Sequence, residues 1–307
     1  MNRRIRDVKI LFLLLLLPAL ISAPAACAQT AAPAPAAPSR VEAVAFESKL
    51  IGKPLAYNVV LPTDYAQTAA AKTRYSVLYL LHGLGGGARD WVSVRARLAE
   101  HAAQYRLIIV VPEGKDGWYT DSATVPMDKF ETYFVEELIP DVQRRFRTNE
   151  ARAGRAVAGL SMGGYGALKF GLKHPEKFAL AASMSGAFSA ASWKPEDPLP
   201  EFVRPSITRV FGPADSPTRP ANDIYRLVRE MTPARIPALP FFYLDCGTED
   251  FLAADNRALS GLLMEKKIPH EYRQLPGNHS WPYWDQQVRE ILKLAERRLA
   301  APASPSN

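Results

Sequence analysis

Apolar and polar positions along the chain fall into two alternating periods. Tyr75–Leu81 is a continuous apolar run, the mark of a strand buried on both faces. Further strands are read at Leu107–Val111, Ala153–Ala158, Leu180–Ser185, Phe241–Asp245 and Glu271–Leu275. Between them lie segments with helical spacing: Trp91–Gln104, Asp128–Phe146, Met162–Lys173 (stopped by His174-Pro175), Asp255–Lys267 and Tyr283–Leu299. Val41–Phe46 and Leu55–Leu61 read as an opening antiparallel pair. Repeated strand–helix alternation predicts an α/β fold, with a mostly parallel central sheet covered by helices on both faces.

One stretch breaks this rhythm. Ten prolines lie between Gly186 and Pro240, after the sixth strand. Proline fixes φ and removes a donor, so a Pro-rich insertion with at most short helices, such as Asn222–Glu230, is expected. Above the carboxyl ends of parallel strands, such an insertion would form a lid or substrate wall.

The ends of the chain are of another kind. Arg3, Arg4, Arg6 and Lys9 precede an apolar run from Ile10 and small residues ending Ala26-Cys27-Ala28. This is the pattern of a secretory signal peptide, residues 1–28, cut after Ala28, and it places the protein in a secreted or periplasmic compartment. The run is too short for a transmembrane span. Lipid anchoring at Cys27 is the alternative at this boundary, disfavoured by Pro24 where a Leu is usual. An Ala/Pro-rich leader (29–40), one catalytic domain (41–300) and a flexible tail (301–307) complete the expected organisation.

Composition adds bounds. With 307 residues, 48% hydrophobic and 22% charged, wholesale disorder and a polytopic membrane protein are excluded. Net charge is +7, and removal of residues 1–28 takes away four basic residues and Asp7, leaving +4. That needs no anionic partner. Arg144, Arg145 and Arg147 read as a solvated helix face, and nothing else suggests a nucleic-acid groove. Only Cys246 remains after cleavage, so no internal disulfide is available.

The chemistry concentrates at Gly159-Leu-Ser161-Met-Gly163-Gly-Tyr-Gly166. A Gly-x-Ser-x-Gly match recurs by chance in roughly a tenth of chains this long, so its context decides. Here it falls between a predicted strand and a predicted helix, where a nucleophile elbow lifts a serine above the sheet. A serine hydroxyl needs a base. Of five histidines, only His279 falls on a strand-end loop beside the elbow; His82, His101, His174 and His270 read as structural. The base needs a carboxylate in turn. Asp250 is favoured, far enough beyond the Phe241–Asp245 strand to bend back. Asp245 ends the strand, Glu249 reads as outward-pointing and Asp255 as a helix cap. The order Ser161, Asp250, His279 is that of α/β-hydrolases. Backbone N–H groups of Met162 and Leu84 are the candidate oxyanion donors.

The loop His82-Gly-Leu-Gly-Gly-Gly87 also fits a dinucleotide fingerprint formally, with Glu113 as its nearest acidic partner. That partner stands 30 positions beyond Gly83 where about 20 are wanted, which disfavours a nucleotide cofactor. No metal-ligand spacing is present, and no cofactor is implied.

Gly159-Leu-Ser-Met-Gly-Gly-Tyr-Gly-Ala-Leu168, His82-Gly-Leu-Gly-Gly86, Trp118-Tyr-Thr-Asp-Ser122, Asp245-Cys-Gly-Thr-Glu-Asp-Phe-Leu252 and Gly277-Asn-His-Ser-Trp-Pro-Tyr-Trp284 together resemble the esterase D family of α/β-hydrolases. That family includes tributyrin and feruloyl esterases, S-formylglutathione hydrolases and mycolyltransferase antigens. The resemblance runs from about Ser48 to Trp284 and implies Ser161, Asp250 and His279 as a triad, with Leu84 and Met162 as oxyanion donors. Asn278 departs from the glycine common there. The insertion matches no motif, which leaves the substrate open.

Trp118, Tyr119, Trp281 and Trp284 are candidates to line an acyl or aromatic pocket, with core packing as the alternative for each. The reading is an exported serine carboxylesterase acting on a small-molecule ester or acylated sugar. An acyltransferase using the same triad is the alternative, and a non-catalytic binding protein on the same scaffold a third.

Overall fold

The computed structural model describes residues 37–303, except 94 and 195, within one compact unit spanning Ala36–Asn307. The expected signal peptide, Cys27 and most of the leader lie outside the described residues, as do residues 304–307 of the tail.

Eight strands form the main sheet: β1 (Arg40–Val44), β2 (Tyr57–Leu61), β3 (Ser76–Leu81), β4 (Leu107–Pro112), β5 (Arg155–Leu160), β6 (Leu180–Met184), β7 (Phe241–Gly247) and β8 (His270–Leu275). Their spatial order is β1-β2-β4-β3-β5-β6-β7-β8. β2 pairs antiparallel with both β1 and β4, and every other pairing is parallel. This is the α/β-hydrolase sheet. Along β3 the side chains alternate between its faces: Val77, Tyr79 and Leu81 enter one apolar core, Leu78 and Leu80 the other.

Helices cover both faces. They are α1 (Leu98–Ala102), α2 (Ile139–Arg145), α3 (Met162–Lys173), α4 (Arg204–Phe211), α5 (Thr218–Asn222), α6 (Ile224–Arg229), α7 (Ala253–Glu265) and α8 (Trp281–Arg298). α1 and α8 pack on one face, and α3 with the segment around Phe134 on the other. Among the described residues, no helix is long and apolar enough to cross a membrane.

Three local expectations need correction. The uninterrupted helix over Asp128–Phe146 begins at Phe130–Thr132, widens to a π-helix over Tyr133–Leu138 and regains α geometry only in α2. Pro140 accounts for this, because it has no N–H to donate and its ring crowds the carbonyl one turn earlier. Trp91–Gln104 is not one helix but a 3₁₀ turn (Asp90–Val92) followed by α1. There the fully buried Trp91 donates its indole N–H to the Leu81 carbonyl (3.2 Å), and Ser93 Oγ donates to the Asp90 carbonyl (2.8 Å), so side-chain bonds compete with the helix. Of the arginine face, Arg144 and Arg145 are exposed as expected while pairing with buried Asp141, but Arg147 lies beyond α2, half-buried, with its guanidinium 4.1 Å over the Tyr65 ring.

The insertion contains α4, α5, α6 and two 3₁₀ turns, all short. Asp255 does not cap α7. It lies in the first turn and accepts hydrogen bonds from Ser189 Oγ (2.5 Å) and Tyr225 Oη (2.7 Å), tying both parts of the insertion to the sheet-covering helix.

Candidate active site

β5 ends at Leu160 and α3 begins at Met162, so a single residue makes the turn. That residue, Ser161, has φ 53° and ψ −116°, a conformation few L-residues adopt. The tight turn requires α3 to approach the neighbouring strand closely. A Cβ on Gly163 would stand 2.6 Å from both the Leu81 and His82 carbonyl oxygens, which is why a side chain is absent there.

His279 lies on the loop between β8 and α8, at the carboxyl edge of the sheet. Its Nε2 is 3.0 Å from Ser161 Oγ, and its Nδ1 is 2.9 and 3.1 Å from the two Asp250 oxygens. The ring is held between Phe251 (centroids 4.6 Å apart) and Trp284 (4.9 Å), whose indole N–H donates to Ser185 Oγ. Asp250 has a fully buried side chain and also accepts the Leu252 N–H at 2.8 Å. Burial works to raise its pKa, but the hydrogen bond and charge of His279 and the Leu252 N–H outweigh it, keeping the carboxyl below its ordinary value. The structure thus brings Ser161, His279 and Asp250 into one hydrogen-bonded chain.

The loop after β3 reaches the same place: a Cβ on Gly83 would lie 3.5 Å from Ser161 Cβ. On this loop Gly85 N–H donates to Asp116, Gly86 N–H to the Gly83 carbonyl and Gly87 N–H to Asp90. The N–H of Leu84 has no acceptor among the described residues, and neither has that of Met162 in the first turn of α3. The dinucleotide reading of this loop is overturned. The loop runs into a 3₁₀ turn, so no helix N-terminus stands ready for a pyrophosphate. Its presumed ribose carboxylate, Glu113, instead accepts the Lys115 N–H (2.8 Å) and lies 3.5 Å from His82 Nε2. Burial opposes its ionisation, yet those contacts with His82 and Lys115 pull its pKa down to about 2.

A cavity of about 330 Å³ opens over Ser161. Trp118, Trp281 and Trp284 line it, as expected. Tyr119 does not. It is buried beneath, with its hydroxyl donating to the His82 carbonyl at 3.1 Å, and this corrects its placement as a pocket residue. The insertion supplies Trp193, Leu199, Phe202 and Val203 to the opposite wall. Among the described residues, no group of three or more His, Cys, Asp or Glu side chains is arranged to hold a metal ion.

Two of the carboxyls passed over as the triad acid have partners that local sequence does not show. Glu249 is exposed, but its carboxylate accepts the Gly277 N–H (2.5 Å) while its own N–H donates to the Gly277 carbonyl (2.9 Å), stitching the Asp250 loop to the His279 loop. Hydrogen bonds from Thr248 and Gly277 hold its carboxyl below the ordinary range. Asp245, the rival acid, is fully buried and accepts the Tyr283 hydroxyl at 3.0 Å. Desolvation pushes its pKa up to about 8.

Fold and site together define an esterase-type α/β-hydrolase. The chain belongs to the family described as Putative esterase, whose model matches residues 48–295. It is 30% identical to an acetyl esterase of Caldicellulosiruptor saccharolyticus over 81% of this chain and 95% of that protein. It is 29% identical to the diacylglycerol acyltransferase/mycolyltransferase Ag85C of Mycobacterium avium, over 74% and 73% of the two chains. Among solved structures, the substrate-bound fluorophosphonate-binding serine hydrolase FphF of Staphylococcus aureus superposes with a TM-score of 0.73 at 25% identity, covering 84% of this chain and 99% of that one. The protein is an enzyme, a carboxylic ester hydrolase.

Proposed function

We propose that the protein is an exported serine carboxylesterase acting through an acyl-serine intermediate. The observation that carries this reading is the His279 ring, bridging Ser161 Oγ at 3.0 Å and Asp250 at 2.9 Å. With the ring proton on Nδ1, donated to Asp250, the Nε2 lone pair faces the serine hydroxyl. His279 takes the Ser161 proton as Oγ attacks the ester carbonyl, and Asp250 stabilises the imidazolium. The tetrahedral oxyanion is received by the N–H groups of Leu84 and Met162. His279 then returns the proton to the leaving alcohol. Water, deprotonated by His279, releases the acid and restores Ser161.

The cavity, walled by Trp118, Trp193, Trp281 and Trp284, suits an acyl or aryl group. No cofactor is required. The basic and apolar N-terminal pattern supports export, with cleavage after Ala28, an Ala/Pro leader to residue 40 and the catalytic domain from 41 to 300. A second reading has a specific ground in the kinship with an acyltransferase: an alcohol in place of water would accept the acyl group.

The test is hydrolysis of short-chain p-nitrophenyl esters and acetylated or feruloylated sugars by wild type and Ser161→Ala, with labelling by a fluorophosphonate probe. Loss of both turnover and labelling in the variant is expected, and equal activity would sink the mechanism. Products formed with and without an acceptor alcohol separate hydrolase from transferase. The N-terminal residue of the mature exported protein, expected to be Gln29, tests the cleavage site.

A further inference from the structure

Behind the active site lies a lysine with no access to solvent. Lys169, on the inner face of α3 two turns beyond Ser161, is fully buried. Its Nζ lies 2.6 Å from the Tyr119 carbonyl, 2.7 Å from Thr120 Oγ1 and 2.8 Å from Glu131 Oε2. Thr120 Oγ1 spends its own hydrogen on the Trp118 carbonyl (2.8 Å), so all three partners are acceptors. An ammonium has three hydrogens and fits this cage. A neutral amine has two and a lone pair, and one acceptor would face that lone pair.

The cage holds an unusual turn. Trp118 and Tyr119 are consecutive non-glycine residues in the left-handed region, with φ 51° and 49°. Both reach the reaction. Trp118 lines the cavity and donates its indole N–H to Ser206 of α4 at 2.9 Å, fixing the insertion wall. Tyr119 donates to the His82 carbonyl, two residues before Leu84, and its ring packs so close to α3 that a Cβ on Gly166 would approach it to 2.6 Å.

We propose that Lys169 is a positioning residue for the reaction: its ammonium group holds the Trp118–Thr120 turn, and through it the oxyanion loop and the pocket wall, in the geometry Ser161 needs. The proposal rests on the serine esterase reading above. The charged groups facing Lys169 are Glu131, Asp121 on the same turn, and Lys173 one turn on; Glu131 also binds Lys173 and His174. The Tyr165 and Phe170 rings complete the surroundings. Burial lowers the Lys169 pKa to about 8 against the pull of Glu131, so the ammonium form begins to be lost in an accessible range.

The experiment is the pH profile of kcat between pH 6 and 9.5 for wild type, Lys169→Met and Glu131→Gln, with melting temperatures over the same range. Wild-type kcat is expected to fall with a midpoint near pH 8, by about tenfold per unit once past it. Because the folded pKa lies below the ordinary 10.5, this lysine adds stability as pH rises through that window, so its titration does not unfold the protein. Lys169→Met should lower kcat at pH 7 about tenfold or more, with KM within about threefold, and lack the alkaline limb. Glu131→Gln keeps an acceptor but removes the charge that favours the ammonium, so its limb should move to lower pH. A wild-type kcat flat to pH 9.5, a limb surviving in Lys169→Met, or an unmoved limb in Glu131→Gln would each overturn the proposal. Full activity of Ser161→Ala would instead overturn the reading on which it rests.

Discussion

Asp250→Asn isolates the step on which the proposed mechanism turns. The carboxylate accepts the Leu252 N–H through Oδ1 and the His279 Nδ1–H mainly through Oδ2. An asparagine that keeps the first bond presents its NH₂ group to His279. The ring must then carry its lone pair on Nδ1 and its proton on Nε2, where it cannot accept from Ser161. The imidazolium of the transition state also loses a neighbouring charge, worth about 4 kcal/mol at 4 Å with an effective dielectric near 20, or about a thousandfold in rate. With the tautomer inverted as well, kcat/KM should fall by roughly 10³ to 10⁴. The control is Asp245→Asn. That carboxyl, with a pKa near 8, is largely protonated at pH 7, so the amide replaces a neutral group and turnover should stay within about threefold. The assay is p-nitrophenyl acetate hydrolysis at pH 7, with circular dichroism to establish that both variants fold. Turnover of Asp250→Asn within tenfold of wild type, or loss of activity in Asp245→Asn alone, would refute the assignment.

Asp245 also sets a pH dependence of stability. Its folded pKa lies above the ordinary 3.8, so between about pH 4 and 8 the folded protein holds a proton that the unfolded chain has released, and stability falls as pH rises. Asp245→Asn should lack this fall, and its melting temperature relative to wild type should climb from pH 5 to 8; a constant difference would contradict the assignment. Gly163→Ala drives a Cβ to 2.6 Å from two backbone oxygens, and should cost about 2–3 kcal/mol in urea unfolding as well as activity. Trp193 packs edge-on against Trp118 (5.9 Å) in the cavity wall. Its replacement by Ala should raise the ratio of kcat/KM for octanoyl over acetyl esters about tenfold, and an unchanged ratio would place the acyl group elsewhere.

What could be read from the sequence was what local backbone chemistry and topology dictate. The elbow needs a serine flanked by glycines between a strand and a helix, all within a few residues. The alternation of elements sends the loops after β3, β5, β7 and β8 to one edge of the sheet, which brings the segments carrying Asp250 and His279 to the elbow. The fold class and the opening antiparallel pair follow in the same way. What escaped depends on partners far apart in sequence. Tyr119 is 37 residues from the His82 carbonyl it holds, Glu249 is 28 from Gly277, and Lys169 is 50 from Tyr119. A lysine between Leu168 and Phe170, on the apolar stretch of its helix, is the one local sign of the last of these, because such a charge is buried only when paired. The break in the Asp128–Phe146 helix has a local sign in Pro140, which a periodicity of apolar positions does not register.

The strain at Ser161 can be weighed separately from its chemistry. Ser161→Ala and Ser161→Gly both remove Oγ, and with it the 3.0 Å contact to His279, so neither should turn over ester. They differ in what the backbone costs. Alanine must occupy φ 53°, ψ −116°, at about 1–3 kcal/mol, whereas glycine adopts it freely. Glycine gives back about 0.4–1 kcal/mol through its more disordered unfolded chain. The glycine variant should therefore be the more stable by about 1 kcal/mol, read as a higher urea midpoint at equal slope. If the alanine variant were the more stable, the elbow would not be storing strain, and its conformation would cost the fold nothing. With the expected order, the position carries a stability penalty, and the proposed role of Ser161 as nucleophile gives the reason a serine is kept there.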